Sequence, residues 1–281
     1  MRISHPVKLA VRRRKNALIM AALLIAFIFI VRFSSAQIHQ HTLTISKNQT
    51  FEMPEDTLVV DELIMHDSST LVLNRASSGS FIKAKQISIA SNCKIMGNGV
   101  AGTTGKRGKD AEPPSGACKS GTPGEAGTNG GDGEAGKDFI LETDQMEISV
   151  SLIVNLAGGN GGDGGEGGKG SRGSRATIHC SSNGGDGGMG GNGGNGGNGG
   201  TMKLQCFKCK EIVELTGKIN FTNRGGYMGY GGDGGKGGLR GDGSDQASRN
   251  GVFGKSGVHG KKGLEGTALY KSLFFVGGQS D

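Results

Sequence analysis

The chain has 281 residues, 56 of them glycine, with no tryptophan and 5% aromatics; glycine stands at roughly three times its usual share of about 7%, and a conventional side-chain core through the whole chain is excluded. The net charge is +7, but seven basic residues (Arg2, Lys8, Arg12, Arg13, Arg14, Lys15 and Arg32) lie in the first 36 positions, and the remaining 25 balance 25 acidic ones. A nucleic-acid partner therefore loses its electrostatic basis, and because the glycine-free blocks are short, one composite domain is expected.

Residues 1–36 read as a basic leader with an apolar run from Ala17 to Val31, then Ser34-Ser35-Ala36 before Gln37. Fifteen apolar residues fall short of the ~20 that span a bilayer, and small residues at 34 and 36 suit a signal peptidase. Export is expected, to the periplasm, the cell surface or the medium. The segment is either a cleaved signal peptide or an uncleaved signal anchor with its basic end in the cytoplasm, the one contact with a membrane that the sequence suggests.

From 37 to 98 the chain alternates apolar and polar residues in brief runs: Leu43/Ile45, Phe51/Met53, Leu58/Val60, Leu63/Met65, Leu71/Leu73, Ile87/Ile89 and Ile95. Period-two runs of three to five residues, broken by Asn, Asp, Ser and Gly, predict an all-β fold. Similar blocks return at 139–157 and 201–224, with a terminal strand and tail at 267–281. The repetition favours a short parallel β-solenoid.

Between these blocks, within 99–266, glycine recurs at every third position in six tracts that form three pairs: 99–108 with 121–136, 158–173 with 184–200, and 226–241 with 251–266. Three residues per turn is the period of the extended left-handed helix that makes no internal hydrogen bonds and rises about 3.1 Å per residue. Such rods need neighbours, so each pair is expected to run out from the β blocks, turn and return, packing as a polyglycine II bundle. A Gly-Gly-X rod has two bare edges and a Gly-X-Y rod one. The Gly-Gly-X tracts are therefore expected in the middle of the bundle, with Gly158, Gly161, Gly164, Gly187, Gly190, Gly193 and Gly196 at its core. The Gly-X-Y tracts 99–108, 121–136 and 251–266 are expected outside.

Three other readings compete. A collagen-like trimeric stalk is suggested by six Gly-X-Y triplets from Gly121 to Asp138, but five prolines in the chain are few for it. A flexible linker would not keep phase through six tracts. The calcium-binding nonapeptide repeat needs an apolar residue where this chain has glycine or another small residue.

The tracts resemble the polyglycine II bundles of certain compact antifreeze proteins and of some phage tail-tip adhesins, and the flanking chain resembles bacterial secreted proteins with glycine-rich, collagen-like repeats. The resemblance implies binding of ice or of a surface receptor. The outward charges, among them Lys236, Arg240 and Asp233, depart from a flat ice-binding face.

Five cysteines in an exported chain suggest oxidation. Cys118 and Cys180 each lie in a tract tip, and side-by-side pairs would bring them together as a disulfide. Cys206 and Cys209 form a C-x-x-C in a β block, where local packing or cross-linking outweighs zinc or redox use; Cys93 is expected to pack inside. His39 and His41 have no third ligand and read as a solvated tail. Arg240-Gly241-Asp242 matches an integrin tripeptide in letters only. Tyr227, Tyr230 and Phe253, with Lys255, Lys261 and Lys262, form the candidate binding surface for a glycan or receptor; the aromatics read alternatively as a cap on the bundle. No catalytic constellation, metal site or cofactor motif stands out. The sequence thus points to a monomeric, non-enzymatic structural or adhesive surface protein, with ice or crystal-surface binding as the alternative.

Overall fold

The computed structural model describes residues 40–177, 179–209, 212–243 and 248–272. The leader, His39 and most of the C-terminal tail lie outside the described residues. Among the described residues no helix is long and apolar enough to cross a membrane.

The protein is built from parallel strands with almost no helix. β1 (Gln40–Ile45), β3 (Thr57–Met65), β5 (Gly79–Ile89), β7 (Asp138–Ile148), β9 (Met202–Cys206) and β11 (Ala268–Ser272) form one sheet in that order. β2 (Thr50–Glu52), β4 (Thr70–Val72), β6 (Cys93–Met96), β8 (Leu152–Asn155) and β10 (Ile219–Thr222) form the other, and a short helix, α1 (Ile212–Gly217), precedes β10. Each strand pairs in parallel with the one two places on. The chain therefore alternates between sheets and advances one strand spacing, about 4.8 Å, per circuit. Between the sheets, Leu63, Leu71, Ile82, Ile95, Phe139 and Leu152 are fully buried, each worth about 1.5–3 kcal/mol of apolar burial.

The strands are longer than the sequence suggests: nine residues in β3, eleven in β5 and β7. Each reads as two short runs because its side chains change face midway. Val60 is buried, then Leu63 and Met65; Ile82 and Ala84, then Ile87 and Ile89; Leu141 and Thr143, then Ile148. The change falls at Asp61, Lys85 and Asp144, which lie level in neighbouring circuits. Alternating charge runs up this corner: His41 Nδ1 is 2.5 Å and Lys85 Nζ 2.7 Å from Asp61, and Lys208 Nζ is 3.1 Å from Asp144. His41 thus sits on β1 against a carboxylate, which corrects the expectation of a tail, although its side chain is solvent-exposed as expected.

The hydrogen bond and charge of Asp61 hold the Lys85 ammonium above the ordinary lysine range. A raised folded value means that this contribution is whole below the unfolded lysine pKa and lost as pH rises through the folded one. Lys85→Gln should therefore flatten the alkaline limb of the stability profile above about pH 10, measured by urea unfolding at stepped pH.

The glycine tracts enter as insertions into these circuits. Gln40 pairs with Val60, Val60 with Ala84, Ala84 with Thr143, Phe139 with Met202 and Met202 with Ala268, so successive circuits take 20, 24, 59, 63 and 66 residues. Each long circuit leaves the smaller sheet along an outgoing tract and rejoins the larger one along a returning tract. We number the tracts 1 to 6 in chain order. The outgoing tracts 1, 3 and 5 lie side by side in one row and the returning tracts 2, 4 and 6 in another, prolonging the two sheets.

Hydrogen bonds of 2.7–3.0 Å join the tracts at every third residue. Along the outgoing row, Gly102 N–H donates to Asn160 O and Gly161 N–H to Tyr227 O; along the returning row, Gly130 donates to Asn192 and Gly193 to Val258. Across the rows each tract also bonds to the one before it: Gly131 to Thr103, Gly162 to Gly131, Gly194 to Gly162, Gly229 to Gly194 and Gly260 to Gly229. The bonding partners of the collagen-like tract 121–136 thus lie in its own chain.

Tracts 3 and 4, both Gly-Gly-X, each bond to four others and are central as expected, and the Gly-X-Y tracts 1 and 6 bond to two and are outer; the expected division is corrected only at tracts 2 and 5. Tract 2 bonds to tracts 1, 3 and 4, and tract 5 to tracts 3, 4 and 6, so the two are equally enclosed although one is Gly-X-Y and the other mostly Gly-Gly-X. The clashes that side chains would make give the rule. A Cβ on Gly164 would stand 2.0 Å from Gly191 O in the following tract, and one on Gly165 2.0 Å from Lys106 O in the preceding tract of its own row. Tracts 3, 4 and 5 have both neighbours and need both glycines. Tracts 1 and 2 begin their rows, tract 6 has no successor, and one glycine per triplet suffices.

Candidate functional site

Two tips are tied together. Cys118, at φ 62° beside Gly116 at φ 89°, turns the first hairpin of tracts, and a disulfide joins it to Cys180 at the second tip, with a Cα separation of 5.7 Å. The third tip docks through Ser248, whose Oγ accepts from Ser182 N–H at 3.0 Å. A second disulfide closes Cys206–Cys209 where β9 ends. Cys93 is a free, buried thiol 3.2 Å from His66 O.

Polar side chains complete the backbone accounting. In the triplet Gly193-Gly194-Asn195 the two glycine amides bond to Val258 O and Gly162 O, and the amide of Asn195 donates to Asp132 Oδ1 at 2.6 Å. Asn195 Oδ1 in turn accepts from Lys261 N–H at 2.9 Å. The same ladder links Asn160 to Tyr227, Asp163 to Tyr230, Asp186 to Val252, Asn192 to Val258 and Asn198 to Leu264. Asn or Asp at X therefore serves the third amide of the next tract in its row, completing the triplet wherever it stands. Sequence reasoning missed this, though the regular Asn and Asp at X after paired glycines carried the signal. Asn195→Ala should cost about 0.5–1 kcal/mol, the usual net worth of one hydrogen bond, and speed exchange at the Lys261 amide; Asn195→Asp should restore both.

The ladder stops at the last tract of each row. Tract 5 carries Tyr227, Tyr230, Asp233, Lys236 and Leu239 at X, with Asp233 alone of the ladder type, and tract 6 carries Val252, Lys255, Val258, Lys261 and Leu264. Side chains also occupy the amides that a seventh tract would take: Gly231 N–H donates to His259 Nδ1 at 2.9 Å and Gly234 N–H to Ser256 Oγ at 3.4 Å. The lattice ends by design of sequence, and its last tracts display residues that do no lattice work.

The structure separates the candidate surface residues. Tyr227 and Tyr230, at 57% and 61% exposure, stand in column on tract 5, on the outer face of the outgoing row. The His259 ring meets Tyr230 edge-on, with centroids 5.4 Å apart. Phe253, 69% exposed, lines a groove on the same face with Arg107, Glu166, Lys169, Asp233 and Lys236, and Lys262 shares its phase on tract 6. Lys255 instead lines a groove with Ala126, Asn129, Met189 and Asn192 on the returning row, and Lys261 follows it along the Asn ladder. The six residues thus belong to two faces. In the Arg240-Gly241-Asp242 triplet, Gly241 N–H donates to Ser182 O and Asp242 pairs with Arg172, so the tripeptide is part of the lattice.

Among known proteins, no family model, no curated protein and no solved structure matches the chain.

Proposed function

We propose that the protein is an exported, non-enzymatic surface module: a short β-solenoid whose three long circuits carry a polyglycine II bundle, which acts as a rigid plate for adhesion or structural display. The observation that carries this reading is the bonding of the tracts. Main-chain bonds at every third residue, two per triplet in tract 4 and a third through Asn or Asp, hold the outward side chains at fixed spacing. Ordering glycine costs about 1–2 kcal/mol per residue, so a lattice of this extent is an expensive way to build a tether and a suitable way to build a plate. In this reading the protein is a monomer without cofactor; the six tracts bond to one another within one chain, and His259 and Ser256 close the outgoing row, which supports the monomer.

The test has two arms. Residues 1–40 fused to a phosphatase active only after export should give activity, with Arg12, Arg13 and Arg14 on the cytoplasmic side. Beads coated with the protein should adhere to cells or extracellular matrix, and beads coated with Gly190→Val, whose lattice is broken, should not. Equal adhesion by both would mean that the ordered lattice is not the binding element.

A second reading, ice or crystal-surface binding, draws on the returning row, where Ala126, Asn129, Asn192 and Asn195 make a ladder of short side chains. Thermal hysteresis in the purified protein separates it from adhesion.

A further inference from the structure

We propose that the outer face of the outgoing row binds an extended, neutral, β-linked polysaccharide, seated on Tyr227 and Tyr230; this rests on the surface-module reading and names its ligand class. Both tyrosines donate their amides to tract 3, the preceding tract of their own row, through Asn160 Oδ1 at 2.9 Å and Asp163 Oδ1 at 2.8 Å. Their Cα atoms are therefore fixed by the lattice one turn, about 9 Å, apart along the rod. That is about the length of two linked pyranose rings, and a regular column of aromatics suits a linear ligand with a repeat of its own. His259 is anchored by Gly231 N–H and meets the Tyr230 ring edge-on, so the phenol is propped rather than loose. Exposed rings of this kind present an apolar face to the C–H face of a sugar and a hydroxyl to its rim.

Charge selects the class of polymer. The face beside the tyrosines is mixed: Arg107 lies against Asp110 and Glu166, Arg172 pairs with Asp242, and Lys169 and Lys236 stand near Asp233. An acidic polymer would meet as many carboxylates as cations. A neutral one finds donors and acceptors of both kinds in the groove that Phe253 closes. The tyrosines also fall on the one tract of this row whose X positions are released from the Asn ladder, so rings stand there without cost to the lattice.

The experiment measures retention of the purified protein on cellulose and chitin, with heparin and single-stranded DNA as anionic polymers. Retention on cellulose or chitin is expected, weakened about tenfold or more by Tyr227→Ala with Tyr230→Ala, the scale of loss for aromatic anchors, and changed less than about twofold by the corresponding Phe pair, because the ring makes the contact. Glycine amide protection in the Ala pair should match the wild type, since neither side chain is buried. No retention on either neutral polymer, retention unaffected by the Ala pair, or retention on heparin or DNA alone would overturn the proposal. If the beads described above adhere to cells while cellulose and chitin fail, the ligand class is wrong and the surface-module reading stands.

Discussion

Gly190→Ala should be among the most damaging single substitutions in the protein. The added Cβ would lie 2.0 Å from the carbonyl oxygen of Gly232, with the carbonyl carbon at 2.6 Å. Both are backbone atoms in tract 5, and tract 4 is held from four sides by tracts 2, 3, 5 and 6. No side-chain rotation relieves the contact, so tracts 4 and 5 must separate. Losing about three bonds at ~1 kcal/mol each, with overpacking of about 1–3 kcal/mol, gives a cost of about 4–6 kcal/mol. Gly102→Ala makes an equally short contact, 1.9 Å to Gly131 O, but tract 1 bonds only to tracts 2 and 3 and can swing outward, so its cost should be about half. Gly217→Ala meets nothing within 4 Å and should be neutral or gain up to about 1 kcal/mol from reduced unfolded-state freedom. Denaturant unfolding of the three variants tests the ordering; equal effects would show that the lattice does not enforce close approach.

Breaking the Cys118–Cys180 bond should remove about 4 kcal/mol. The disulfide closes a 62-residue separation, and the chain-entropy account assigns a loop of that size a stabilisation of about 4 kcal/mol. The effect should be local in structure although large in energy, because other bonds still join the tips, among them Cys118 N–H to Arg175 O, Lys119 N–H to Ser174 Oγ, Ser182 Oγ–H to Lys119 O and Asn183 N–H to Ser120 Oγ. Cys118→Ser with Cys180→Ser should lower the unfolding midpoint and raise exchange first near 111–120 and 174–183. Reduction of the wild type should reproduce this, with a separate contribution from Cys206–Cys209. An unchanged midpoint in the double variant would mean that the tips are already fixed by the lattice.

Much of the fold was legible because glycine spacing is a direct record of how closely backbones approach. The pairing of tracts, their return to β blocks and the neighbouring positions of Cys118 and Cys180 all follow from length and phase. What the sequence hid depends on order within a row. Gly121 and Gly251 look alike as Gly-X-Y starts, yet one tract lacks a predecessor in its row and the other a successor. The doubled runs of β3 and β5 looked like separate strands because Asp61 and Lys85 reverse the inward face without interrupting the pairing. On the candidate surface, Lys255 and Phe253 are two residues apart, and in a three-fold rod two residues apart means different edges. Sequence proximity grouped them, and the helical period divides them.

If the tracts form an ordered main-chain lattice, amide hydrogen exchange at their glycines will show it. Exchange should be slow at Gly164, Gly167, Gly190 and Gly193, each donating to a carbonyl of another tract, with protection rivalling the β core and lost together with it as the protein unfolds. Exchange at those glycines near the rate of an unstructured chain, while Ile82 and Leu141 stay protected, would contradict it.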